Sequence, residues 1–85
     1  MYRVQFAQEA ERDLQRLDPQ VRMRILTRLD WLSEHAEQVQ HRPLTGPLAG
    51  LFKLRLGDFR ILYDVFNNDR IIFVHAIGHR RDIYR

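Results

Sequence analysis

The chain has 85 residues, 45% of them apolar, which suffices for one small domain with a single core spanning residues 1–85. It holds no cysteine, excluding disulfide staples and thiolate metal sites and fitting a reducing compartment. The net charge is +3, no apolar run approaches the roughly 20 residues of a membrane span, and Met1 to Phe6 lacks the apolar segment of a secretory leader, so a cytoplasmic protein without a membrane partner is expected.

Tyr2, Val4 and Phe6 alternate with Arg3 and Gln5, the period of a strand. Ala7, Ala10, Leu14 and Leu17 follow at helical spacing. Asp18-Pro19 then punctuates the chain, Asp18 as a helix N-cap and Pro19 as the first helical residue. Val21, Ile25, Leu29, Leu32, Ala36 and Val39 make the stripe of a second helix. The two segments predict a helical hairpin with one apolar seam, and Trp31 belongs to that core or to a partner's seam. His41 to Gly50 reads as a loop, with Pro43-Leu44-Thr45-Gly46 shaping it.

Beyond the loop the period returns to two. Phe52, Leu54 and Leu56 alternate with Lys53 and Arg55, and Gly57-Asp58 is a two-residue turn of the Gly-X kind. Phe59 to Phe66 reads as a central strand and Asn67-Asn68-Asp69 as the next turn. Ile71 to Ile77 reads as the last strand, ended by Gly78. The expected architecture is α+β: an N-terminal strand, a two-helix antiparallel hairpin, then a three-stranded antiparallel meander, with the helices on one sheet face. The other face is left for solvent or a ligand.

The charge is unevenly placed. Residues 1–50 hold seven basic and seven acidic groups, whereas residues 51–85 hold seven and four. Only Lys53 among the fourteen basic residues is lysine. Arginine forks match phosphate oxygens in pairs and its plane stacks on bases. Composition alone leaves a polyanion-binding patch and an ordinary solvated surface on equal terms. A two-residue turn at Gly57-Asp58 would set Arg55 opposite Arg60, with Lys53 two residues along. Like charges facing each other across a ladder cost up to roughly 1 kcal/mol. An anion between them removes that cost, as would neutralisation by Asp58 and Asp64 or splaying into water.

The tail adds His79, Arg80, Arg81 and Tyr84. A cyclising ribonuclease must deprotonate a 2′-hydroxyl, stabilise a crowded phosphate and protonate the leaving oxygen. Histidine moves protons near neutral pH, arginine stabilises the phosphate and an aromatic ring stacks on a base. A basic C-terminus is equally often a solvated end. His35, His41, His75 and His79 show no metal-ligand spacing, and no cofactor motif occurs. His75 shares the strand parity of Ile71, Phe73 and Ile77 and reads as a packed or capped histidine.

Three stretches in order carry a resemblance: Pro43-Leu44-Thr45-Gly46 with Gly50-Leu51-Phe52-Lys53-Leu54-Arg55, then Asp58-Phe59-Arg60-Ile61-Leu62-Tyr63, then Ile77-Gly78-His79-Arg80-Arg81-Asp82-Ile83-Tyr84. Together with the first strand and helical pair, they make the chain similar to the RelE/ParE toxin superfamily over nearly its whole length. The resemblance implies a toxin of a type II toxin–antitoxin system, of the RelE-like kind that cuts mRNA in the ribosomal decoding site and is silenced by an antitoxin. It implies site roles for Lys53, Arg55, Arg60, Arg80 and Tyr84, with Arg81 as a substitute for Arg80. On this reading Lys53, Arg55 and Arg60 grip the scissile phosphate, and Lys53 takes the 2′-hydroxyl proton. Arg80 stabilises the transition state and Tyr84 stacks on the nucleotide. His79 either donates a proton or contacts phosphate. The Arg80–Tyr84 interval is shorter than in the best-known bacterial member. A ParE-like poison of DNA gyrase is the rival reading. The third is a non-catalytic member that acts only with its antitoxin on operator DNA.

Overall fold

The alternating N-terminus forms a short strand, β1 (Arg3–Phe6), and the period then changes to that of two helices, α1 (Gln8–Arg16) and α2 (Pro19–His35). A two-residue strand β2 (Arg42–Pro43) and a single 3₁₀ turn (Gly46–Leu48) lead into β3 (Phe52–Leu56), β4 (Phe59–Phe66) and β5 (Ile71–His79). This computed structural model describes residues 1–83. The sheet order is β1-β5-β4-β3-β2. β3, β4 and β5 form the expected antiparallel meander, and β1 closes the far side by pairing parallel to β5, Arg3 opposite Ile71 and Phe6 opposite Val74.

The core forms where one side of the sheet meets the helices. Ile25, Leu29 and Leu32 of α2 and Ala10 of α1 are buried against Ile61 and Tyr63 of β4 and Ile72, Val74 and Ile77 of β5. Truncating Leu29 or Leu32 to alanine would cost about 2–5 kcal/mol, a large share of the roughly 5–15 kcal/mol by which a domain is stable. α1 lies over β5 and α2 over β1, and the apolar sides of the two helices, Ala10 and Leu14 with Val21, Ile25, Leu29 and Leu32, join one cluster against the sheet.

Four expectations need correction. Arg42 and Pro43, read as loop, pair with Lys53 and Phe52 at the sheet edge, where proline is tolerated because its missing N–H faces away from the ladder. The Asp18 carboxylate makes no cap hydrogen bond, although Pro19 does open α2. α2 ends at His35, so Val39 reaches the core from the following turn, its N–H bonded to the His35 carbonyl. Gly78 does not end β5, which runs on through His79.

A bulge in β5 also breaks the simple parity. Leu62 pairs with Ala76 and Tyr63 with Val74, leaving His75 as the extra residue. One extra residue exchanges the two sides of the strand. Ile77 therefore joins Ile72 and Val74 in the core and does not share a side with Ile71 and Phe73. His75 is half-buried with its ring edge-on to Phe73.

Candidate functional site

The hairpin between β3 and β4 has the expected register. Gly57 takes a positive φ of 58°, open to glycine at no steric cost, and the two-residue turn sets Leu56 opposite Phe59 and Arg55 opposite Arg60. Directly paired residues share a face. One row across the sheet therefore reads Arg42, Lys53, Leu62, Ala76, and the next reads Arg55, Arg60, Gly78. These side chains lie on the side away from the helical core, where Phe52, Leu54, Leu56 and Ile61 point.

Four cations thus meet on one face. Among the described residues the only ion pairs are Arg70–Glu37 and Arg80–Asp58. Arg42, Lys53, Arg55 and Arg60 accordingly have no described carboxylate within 4.0 Å. Neither acid nearby relieves the opposed arginines: Asp58 pairs with Arg80, and an Asp64 carboxylate oxygen accepts the Val65 N–H.

Arg60 is the buried member, 8% exposed. Its Nη1 donates to the carbonyls of Gly57 and Phe59, each at 2.8 Å, so the guanidinium clasps the turn that carries it. A guanidinium has five N–H donors, and those on Nε and Nη2 make no hydrogen bond to a described residue. Arg60 is therefore a fixed cation with donors to spare. Arg80 comes to the tip of the same hairpin. Its N–H donates to the Asp58 carbonyl at 2.8 Å, and its exposed side chain lies 3.7 Å from the Asp58 carboxylate. Arg81 is exposed in the turn that follows, and Ile83 returns toward Gly78, its Cδ1 3.6 Å from where a Cβ there would sit. Tyr84 lies outside the described residues.

His79 does not join this group. It pairs with Phe59, two residues beyond Ile77, and alternation puts both on the helix side of the sheet. Its ring stands edge-on to Phe59, and Nδ1 accepts the Arg81 N–H at 3.1 Å, leaving the proton of the neutral ring on Nε2. It lines a cavity of about 480 Å³ with Glu9, Asp13 and Arg16 of α1 and Asp82.

Sequence reasoning missed two residues beside the cationic row. His41 is anchored twice. Its Nε2 donates to the Ala36 carbonyl at 2.9 Å, which leaves Nδ1 to accept the Tyr63 hydroxyl at 2.6 Å. Burial pushes the Tyr63 hydroxyl up from 10.0 to about 12. This pair holds the chain immediately before Arg42, the second neighbour, which pairs with Lys53 only because β2 exists. No periodicity marks a two-residue strand; a basic residue beside an anchored histidine was the only signal. Among the described residues no helix is long and apolar enough to cross a membrane, and no three His, Cys, Asp or Glu side chains cluster as metal ligands do.

The meander, the two helices on one face and the cationic row on the other define a small toxin scaffold, and comparison with known proteins agrees. Residues 4–84 match the family of the ParE toxin of type II toxin–antitoxin systems, parDE. The chain is 34% identical to Toxin RelG of Mycobacterium tuberculosis, over 99% of this chain and 97% of that protein. Its fold is similar to that in the toxin–antitoxin complex RelBE2 of the same organism, with a TM-score of 0.81 and 31% identity over 93% of this chain and 98% of that one. The isolated RelE toxin of E. coli has the same fold, with a TM-score of 0.78 and 21% identity over 99% and 92% of the two chains. This chain belongs to the ParE toxin family, within the RelE/ParE superfamily of type II toxin–antitoxin toxins.

Proposed function

We propose that this toxin is a ribosome-dependent endoribonuclease that cuts messenger RNA and stops translation, held in check by a cognate antitoxin. The observation that carries this reading is the Arg55–Arg60 pair, directly opposed on one face beside Lys53 with no described carboxylate within reach. Such a placement is unfavourable by up to roughly 1 kcal/mol until an anion sits on it, and a phosphate is the anion that arginine forks fit best.

Lys53, Arg55 and Arg60 grip the scissile phosphate, with Arg60 fixed by its turn contacts. Lys53, when its amine is unprotonated, takes the 2′-hydroxyl proton as that oxygen attacks phosphorus; the bond from phosphorus to the 5′-oxygen breaks, and that oxygen leaves as a hydroxyl with a proton from solvent. Arg80, with Arg81 beside it, neutralises charge on the phosphate at the hairpin tip, and Tyr84 stacks on the nucleotide. The place of His79 on the opposite side of the sheet argues for arginines rather than imidazole as the groups that matter. The ribosome supplies the remaining alignment, so free RNA is cut poorly. The antitoxin is expected to be acidic or amphipathic where it wraps the toxin. Toxin–antitoxin complexes among the similar structures support such a partner.

The match to the ParE family model favours one second reading, inhibition of DNA gyrase. One experiment separates the two. Wild-type protein, Arg60→Ala, Arg80→Ala and Tyr84→Phe are each checked for folding and antitoxin binding, then added to ribosomes translating a defined message and, in parallel, to a gyrase supercoiling reaction. Message cutting that falls in the variants supports the ribonuclease. Wild-type rates in all three variants rule out the proposed site, and loss of supercoiling with an intact message makes gyrase the target.

A further inference from the structure

The cationic face does not stop at the residues assigned above. β2 is two residues long, so Leu54 to Leu56 of β3 have no strand beyond them. Between this open edge and α2 lies a cavity of about 280 Å³, lined by Arg28 of α2, Arg42 of β2, and Lys53 and Arg55 of β3, with no acidic residue in its wall. None of the four has a described carboxylate within 4.0 Å. Clustered charges of one sign beside low-dielectric walls focus the potential and draw in counter-ions. The volume falls just below the roughly 300–1,000 Å³ of small-molecule pockets, a size for a charged group rather than a whole metabolite.

The two cations that the proposed cleavage site does not use are both held in place. Arg42 follows His41, which is tied to Tyr63 and Ala36. Arg28 lies over the Trp31 ring, 4.9 Å from its centre. Groups fixed beforehand lose less freedom on binding. Lys53 and Arg55 belong both to this cavity and to the sheet face that carries Arg60, so whatever occupies the cavity is continuous with whatever lies on the face. A polynucleotide meets that condition, because it carries one negative charge per nucleotide at regular spacing.

We propose that this edge cavity is a second phosphate seat, in which Arg28 and Arg42 hold an RNA phosphodiester flanking the one on the Arg55–Arg60 face. The inference rests on the RNA reading of the function, and its test reads binding separately from cleavage. Arg28 and Arg42 are both exposed, so the R28A/R42A double variant should keep its fold, checked by its melting curve. The probes are a twelve-nucleotide single-stranded RNA and ribosomes without message, titrated over a range of salt concentrations. For a single strand each phosphate contact contributes about 0.7 to the slope of log affinity against log salt. The double variant should lose about 1.4 from that slope, and R28K/R42K should restore it. Loss with the oligonucleotide assigns the seat to the message, and loss with empty ribosomes alone assigns it to ribosomal RNA. An unchanged slope with both probes, no RNA binding by the wild type, or a loss confined to antitoxin binding overturns the proposal. If the wild type shows this arginine-dependent binding yet leaves a translated message intact, the cleavage reading fails and the phosphate seat stands. If it cuts the message while R28A/R42A binds and cuts as well as wild type, the reverse holds.

Discussion

At the β2–β3 edge of the sheet, Arg28, Arg42, Lys53 and Arg55 surround a cavity with no acid in its wall. Where the end of β5 runs past β1 and leaves a second open edge, a cavity of about 480 Å³ gathers Glu9, Asp13 and Asp82 with Arg16 and His79. α1 lies over the second edge, and there an Asp13 carboxylate oxygen accepts the Ile77 N–H at 3.2 Å, doing the work of a missing strand. The first edge is left open, and its cations have no described carboxylate within 4.0 Å. The difference separates recognition from scaffolding within a few residues of sequence. Arg80 reaches the cationic side by way of the hairpin tip, whereas His79, its neighbour, is carried by strand alternation to the acidic one.

The largest effect expected from breaking this contrast is at Arg60. Arg60→Ala removes a transition-state contact and should lower ribosome-dependent cleavage about 10²–10³-fold. It also strips the turn of two hydrogen bonds, so the folded variant should melt earlier, by about 1–3 kcal/mol. Arg60→Lys keeps the charge and loses the fork, and an intermediate cleavage rate would assign part of Arg60's role to its geometry. Equal rates in wild type and Arg60→Ala would break the comparison.

Next come the supports of the cationic edge. His41→Ala leaves the buried Tyr63 hydroxyl without its acceptor and should cost about 1–3 kcal/mol in denaturant unfolding. The same residue pair gives a pH signature. Burial lets Tyr63 hold its proton to about pH 12 in the folded protein, against 10.0 for an unburied tyrosine. The stability it contributes is whole below pH 10 and is lost as pH rises from 10 to about 12, because the unfolded chain gives up the proton first. About 2–3 kcal/mol should disappear over that window in wild type, and Tyr63→Phe should lack the step. Identical alkaline unfolding of the two proteins would remove the burial account.

The smallest effect should be at His79. It lies on the acidic side, across the sheet from the cationic face, so His79→Gln should change the cleavage rate by less than about tenfold. A loss of 10² or more, in the range of general acid–base catalysis, would bring the acidic edge into the chemistry.

Local pattern carried the reading where one period ran uninterrupted. The Lys53–Arg55 alternation and Gly57-Asp58 fixed the Arg55–Arg60 pairing, because a two-residue turn allows one register. It failed where one residue changes the count. The bulge at His75 reverses the parity of β5, and no residue type announces it. β2 is too short for any period, so Arg42 and its place beside Lys53 went unseen. The clasp of Arg60 on the Gly57 and Phe59 carbonyls depends on side-chain direction, which spacing does not specify. His79 and Arg80 are adjacent in the chain, and only the three-dimensional course of β5 shows that adjacency in sequence placed them on different sides.

The claim that the cationic face cuts RNA is tested most directly by the ends of the product. Purified toxin is added to ribosomes translating a defined message, and the fragments are mapped and their termini analysed. Attack by a 2′-hydroxyl predicts a 2′,3′-cyclic phosphate on the upstream fragment and a 5′-hydroxyl on the downstream one, with cutting abolished when the nucleotide before the scissile phosphate is 2′-deoxy. An intact message, or cleavage that persists at the 2′-deoxy position, would contradict the account.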